Sequence, residues 1–87
     1  MPILWIPSNL HDLTEGKGLI RVSGKTVSQA LTNLEAIYPG VWGRLCEGKV
    51  LSSSITVVVD GELSGMGIYT PLQEDSEVHF LPAMEGG

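Results

Sequence analysis

Thr26-Val27-Ser28-Gln29-Ala30-Leu31-Thr32-Asn33-Leu34-Glu35-Ala36-Ile37-Tyr38-Pro39-Gly40 carries the clearest periodicity in the chain. Val27, Ala30, Leu31, Leu34 and Ile37 share one face at a 3.6-residue repeat, which predicts an amphipathic helix. Thr26 and Gln29 have the spacing of a capping box, in which each side chain satisfies a backbone donor left open by the first turn. Pro39 ends the helix, because a proline disfavours helical geometry in the residue before it.

Working outward from this helix, Leu19 to Ser23 alternates well enough for a strand, and Ile3 to Ile6 is a short apolar run bounded by Pro2 and Pro7. Gly16 and Gly18 flank the connection and predict a hairpin. On the other side, Val41 to Leu45 reads as a further helical turn with Trp42 and Leu45 facing inward. Ile55-Thr56-Val57-Val58-Val59 is the strongest strand signal, rich in β-branched residues, closed by Asp60-Gly61 and expected to be central. Glu62 to Gly67 reads as irregular, Ile68-Tyr69 as a brief strand, and Glu77 to Leu81 as a last, interior strand. A hairpin crossing by one helix to further strands is an α+β roll, with the helix on one face of the sheet.

Eighty-seven residues make one domain, which buries only about 60% of its unfolded surface and leaves no room for a large catalytic cavity. A hydrophobic fraction of 43% against 17% charged describes an ordinary globular core. The net charge is −5, and Lys17, Arg21, Lys25, Arg44 and Lys49 are scattered, so the chain lacks the electrostatic footprint of a nucleic-acid binder. An acidic body is steered instead toward a basic surface on a protein partner.

Cys46 is the only cysteine, which excludes an intrachain disulfide and fits a reducing compartment. Met1 to Pro7 lacks a basic leader, and its apolar run is far too short to span a membrane. A cytoplasmic protein without a membrane segment is expected.

The reactive side chains form no catalytic arrangement. His11 and His79 have no partner at metal-ligand spacing and read as structural. Cys46 reads as a small apolar residue, and Glu74, Asp75 and Glu77 as a solvated turn rather than a cation site. Trp5 and Trp42 read as core aromatics. No nucleophile, base and orienting group occur in a recognisable pattern, so the protein is not expected to be an enzyme, to bind a cofactor or to hold a metal.

The other informative stretch is Phe80-Leu81-Pro82-Ala83-Met84-Glu85-Gly86-Gly87. A carboxylate carried on two residues without Cβ atoms, beyond a stiff proline, can enter a channel too narrow for side chains. Five extended residues beyond Pro82 place it roughly 16 Å from the folded body. Two terminal glycines arise by composition in roughly one chain in 200, so the pair by itself is a moderate signal. The expected division is a folded domain, 1–82, and a flexible diglycine tail, 83–87.

Taken together, Thr70-Pro71-Leu72-Gln73-Glu74-Asp75-Ser76-Glu77-Val78-His79-Phe80-Leu81-Pro82 and Ala83-Met84-Glu85-Gly86-Gly87 resemble the end of the ubiquitin-like sulfur carriers. This family has the β-grasp fold, a mixed sheet packed on one helix, and includes the small subunit of molybdopterin synthase and the thiamine-pathway carrier. The helix from Thr26 to Tyr38 and the Val57-Val58-Val59-Asp60-Gly61 strand and turn agree in order and spacing. The length and the leucine-proline-alanine approach to the tail look closer to carriers for cysteine or specialised sulfur pathways than to the shorter thiamine carrier. Two features depart from the family pattern. Glu85 puts a charge beside the diglycine, and Glu62 to Gly67 is longer and richer in glycine.

The resemblance implies that an E1-like adenylating enzyme, using its own ATP and Mg²⁺, activates the Gly87 carboxylate. A sulfur donor then converts it to a thiocarboxylate that serves a downstream sulfur-accepting enzyme. Gly87 is the reacting residue, and Gly86 lets the backbone pass. Phe80, Leu81, Pro82, Met84 and Glu85 are the expected partner-binding residues. Consecutive strand residues face opposite sides, so one of Phe80 and Leu81 should be exposed and the other packed. The rival readings are a protein modifier joined to lysine amines, a synthase small subunit, and a binding module for which the diglycine is incidental.

Overall fold

A computed structural model describes residues 1–82 of the chain. Seven strands and two helices follow in the order β1 (Ile3–Trp5), β2 (Leu19–Arg21), α1 (Val27–Ile37), α2 (Val41–Leu45), β3 (Cys46–Glu47), β4 (Val50–Leu51), β5 (Ile55–Val59), β6 (Glu62–Leu63) and β7 (Glu77–Pro82). Five of the strands form one mixed sheet in the order β2-β1-β7-β5-β6, and β3 and β4 form a separate hairpin. Strands β1 and β7 run parallel, with Ile3, Leu4 and Trp5 beside Glu77, Val78 and His79. The other pairs in the sheet are antiparallel. The expected α+β architecture is present, but the last strand, not β5, lies at the middle of the sheet.

The core sits between one sheet face and the helices. Leu4, Ile20, Val57, Val59, Val78 and Phe80 point from the strands toward Val27, Ala30, Leu31 and Leu34 of α1, and Val41 and Leu45 of α2 close one end. Each buried valine, leucine, isoleucine or phenylalanine among them contributes roughly 1.5–3 kcal/mol. Ile37, expected on the buried face, is instead 58% exposed. The stripe through Ala30 and Leu34 continues to position 38, and half-buried Tyr38 packs against the core there.

At the start of α1 one half of the expected capping box is formed: the Gln29 amide donates to Thr26 Oγ1 at 3.1 Å. Its return arm reaches one residue further back, where the Lys25 amide donates to Gln29 Oε1 at 2.9 Å. At the other end Glu35 reaches across the Pro39-Gly40 turn. Its carboxylate accepts the Gly40 amide at 2.9 Å and the Trp42 amide at 2.8 Å, supplying partners for the open donors of α2. Trp42 is half-buried rather than fully packed, and its indole N–H donates to the Gly48 carbonyl at 3.0 Å, tying α2 to the β3–β4 hairpin.

Two segments differ from the sequence expectation. Asp60 and Gly61, at φ 52° and 83°, form a tight two-residue turn, so the stretch after it returns as β6 instead of remaining irregular. Gly67–Tyr69 is a short 3-10 turn rather than a strand. The Asp60 carboxylate accepts the Glu77 amide and the Ser76 hydroxyl, each at 2.9 Å, and this pair of bonds fixes where the middle strand begins.

Replacing Asp60 by alanine removes both anchors and puts at positive φ a residue that tolerates it less well, so stability should fall by about 1–3 kcal/mol in urea unfolding. The backbone N–H groups that donate to Glu35 hold its carboxyl below its ordinary value of 4.5. Its contribution is therefore fully present above that value and lost as pH falls through the lowered one. The midpoint difference between wild type and Glu35→Ala should be constant near neutrality and shrink in acid.

Candidate functional site

β7 ends at Pro82, and the expected reactive segment follows directly. Met84, Glu85, Gly86 and Gly87 lie outside the described residues, so the structure speaks to the root of that segment and the surface around it. Phe80 is 3% exposed and sits in the core against the helices. Its expected role in partner binding is therefore corrected to packing: Val78 and Phe80 face inward, while His79 and Leu81 face out. Leu81 is 46% exposed and Pro82 is exposed beside it.

Leu81 belongs to a larger apolar face that residue-by-residue reading missed. The pairing places Leu19 opposite Trp5, Trp5 beside His79, His79 opposite Val58, and Val58 opposite Leu63. Directly paired residues share a face, so these five side chains form one row across all five strands on the side away from the helices. Thr56 and Leu81 begin the next row toward the tail. Leu63 is 73% exposed, the largest value among the big hydrophobic residues described. Trp5, expected in the core, is in the middle of this outer face because Leu4 and Ile6 on either side of it point inward. Its ring stacks on His79 at 5.2 Å and 9°, and its indole N–H donates to Glu77 Oε1 at 3.1 Å.

Beside the root of the tail lies a cleft of about 170 Å³ whose walls include Leu10, Arg44, Ile55, Leu81 and Pro82. Arg44 donates from Nη2 to the Asn9 carbonyl at 2.8 Å. Beyond the opposite end of β7, Glu74 accepts a hydrogen bond from the Met1 amine at 2.9 Å, and that bond together with the amine's charge holds its carboxyl low.

Nothing in the described part resembles a catalytic centre. His11 is held by the Ile6 carbonyl at 2.9 Å, His79 by its stack, and no group of three acidic, histidine or cysteine side chains among the described residues can hold a metal ion. Cys46 is buried, and burial pushes its thiol above the ordinary range, which makes it a poor nucleophile near neutrality. No helix among the described residues is long and apolar enough to cross a membrane.

Comparison with known proteins places this arrangement in a family. The ThiS family profile matches residues 5–87. The chain is 34% identical over 89 residues to the sulfur carrier protein CysO of Mycobacterium tuberculosis, covering 94% of each sequence. It superimposes with a TM-score of 0.87 on the crystal structure of M. tuberculosis CysO, at 29% identity, with 97% of this chain and all of the other covered. A chain from the crystal structure of the Amycolatopsis orientalis BexX/CysO complex matches at a TM-score of 0.89 and 28% identity, with both covered in full. The β-grasp fold and the family match, which runs through the diglycine, agree, and the protein belongs to the ThiS family of ubiquitin-like sulfur carriers.

Proposed function

We propose that this protein carries sulfur as a thiocarboxylate on Gly87 and is a protein co-substrate of its partners rather than a catalyst. The observation that carries the reading is the family match through residue 87 on a body whose middle strand leads straight into the diglycine segment. A carboxylate is anionic at neutral pH and a poor acyl electrophile. An E1-like partner, with its own ATP and Mg²⁺, joins the Gly87 carboxylate to AMP and releases pyrophosphate. Sulfide then attacks the acyl carbon, expels AMP and gives up its proton, leaving the thiocarboxylate. Covalent carriage splits one difficult sulfur transfer into easier steps. The reaction belongs in the cytoplasm, where ATP is available.

The outer sheet face is the docking surface in this reading. Leu19, Trp5, Val58, Leu63 and Leu81 supply an apolar patch on an acidic body, suited to a partner surface that is apolar at its centre and basic at its rim. The patch spans five short strands, which suits a carrier that must dissociate after each delivery.

Intact mass measured after incubation with ATP, sulfide and the adenylating enzyme should show replacement of one oxygen by sulfur, lost on deletion of Gly87. Adenylation without sulfur gain, followed by conjugation to lysines, would make the protein a modifier instead. Leu63→Asp and Leu81→Asp should each slow thiocarboxylate formation at low carrier concentration about tenfold or more while changing the thermal midpoint little. Phe80→Ala should do the reverse, with a loss of about 3–5 kcal/mol in stability.

A further inference from the structure

His79 is the one titratable side chain in the row that crosses the outer sheet face, between Trp5 on β1 and Val58 on β5. Leu19 and Leu63 complete the row at its two edges and carry no charge. The Trp5 ring lies flat against the imidazole, with 5.2 Å between centroids and 9° between planes, and its indole N–H is held by Glu77 Oε1 at 3.1 Å. The stack is therefore pinned, with His79 half-buried at the centre of the face. Neither ring nitrogen of His79 bonds a described residue, and no described side chain hides an unpartnered nitrogen, so both nitrogens meet water.

Few charges face this ring. Glu77, two residues earlier on β7, is on the same side, and Arg21 lies two strands away on β2, beyond Ile3. Asp60, beside Glu77 at the end of β5, has its carboxylate taken up by the Ser76 hydroxyl and the Glu77 amide. β6 brings only Leu63 to this side. A histidine changes charge between about pH 5 and 8 in its ordinary range. In the free carrier an imidazolium here is tolerated, because Trp5 offers the electron-rich face of an indole and Glu77 an opposite charge. Under a docked partner the ring is shut off from water among Leu19, Trp5, Val58 and Leu63, where an unpaired charge is strongly disfavoured. A partner with a basic rim, which the acidic body selects, opposes a positive charge at the centre as well.

We propose that His79 makes docking on this face sensitive to protons: the partner is accepted over the neutral imidazole, and docking onto the protonated form expels one proton to solvent. This role rests on the outer face being the docking surface of a sulfur carrier. Sulfur loading then slows under mild acidification and recovers without any covalent change.

Thiocarboxylate formation by the adenylating enzyme, at low carrier concentration and constant ionic strength, should be about tenfold slower at about pH 5.5 than at about pH 8, relative to His79→Phe and His79→Gln measured alongside. At saturating carrier that difference should vanish, because the proton acts on docking and not on the chemistry. Phenylalanine keeps an aromatic ring against Trp5 and glutamine keeps a polar group that does not titrate, so loss of the pH dependence in both separates the proton from a packing defect. Without any enzyme, retention of the carrier on a neutral phenyl matrix should fall further between the same two pH values for the wild type than for either variant. Equal pH profiles for the wild type and both variants, in either measurement, overturn the proposal. If the wild-type carrier gains no sulfur at all, the sulfur-carrier reading fails, while the phenyl matrix still decides whether His79 gates the face.

Discussion

Parallel hydrogen bonding between the first and last strands puts β7 in the middle of the sheet, and the core, the outer face and the root of the tail take their positions from it. A parallel pair cannot be closed by a tight turn, so nearly the whole chain is the connection between its two members. The intervening length supplies the helix that covers one face. Asp60 adds the second constraint, because its carboxylate holds the Ser76 hydroxyl and the Glu77 amide and so sets the register at which β7 starts. A one-residue slip there would turn Phe80 out to solvent and Leu81 into the core.

The two faces of this sheet divide the work. One is covered by α1 and α2 and supplies stability through ordinary burial. The other keeps a row of large side chains in water, with Trp5 and His79 stacked at its centre. An uncovered apolar row is a cost that folding alone does not explain. It is consistent with a carrier that partner proteins bind, and β7, whose outer side chains help build that face, is the strand that ends at Pro82.

Long periodic elements were readable from the residues alone. The α1 stripe, the β-branched run of β5 and the last strand all appear where their patterns put them. Apart from Ile37 at the end of the helical stripe and the short turn at Gly67–Tyr69, the residues read wrongly are those whose placement depends on pairing. Trp5 looks like a core aromatic until β1 is known to bury Leu4 and Ile6, and no local signal relates Leu19 to Leu63 across five strands. The β5–β6 hairpin did carry a local signal, the Asp60-Gly61 pair between two extended stretches, but the glycines that follow it obscured the short return strand. Glu35 binding the amides of the next helix is a tertiary event made possible by the turn at Pro39-Gly40.

The middle position of β7 also governs how the protein comes into being. Its pairings with β1 span more than seventy residues of sequence, so the closure that completes the sheet is the most entropically expensive and should be among the last events in folding. During synthesis the helix and the first hairpin emerge long before the strand that must be inserted between β1 and β5. A chain cut short before Glu77 therefore lacks the centre of its sheet, not merely its end. Defective products of this kind would remain unfolded and open to proteolysis, rather than competing as well-folded carriers with nothing to deliver.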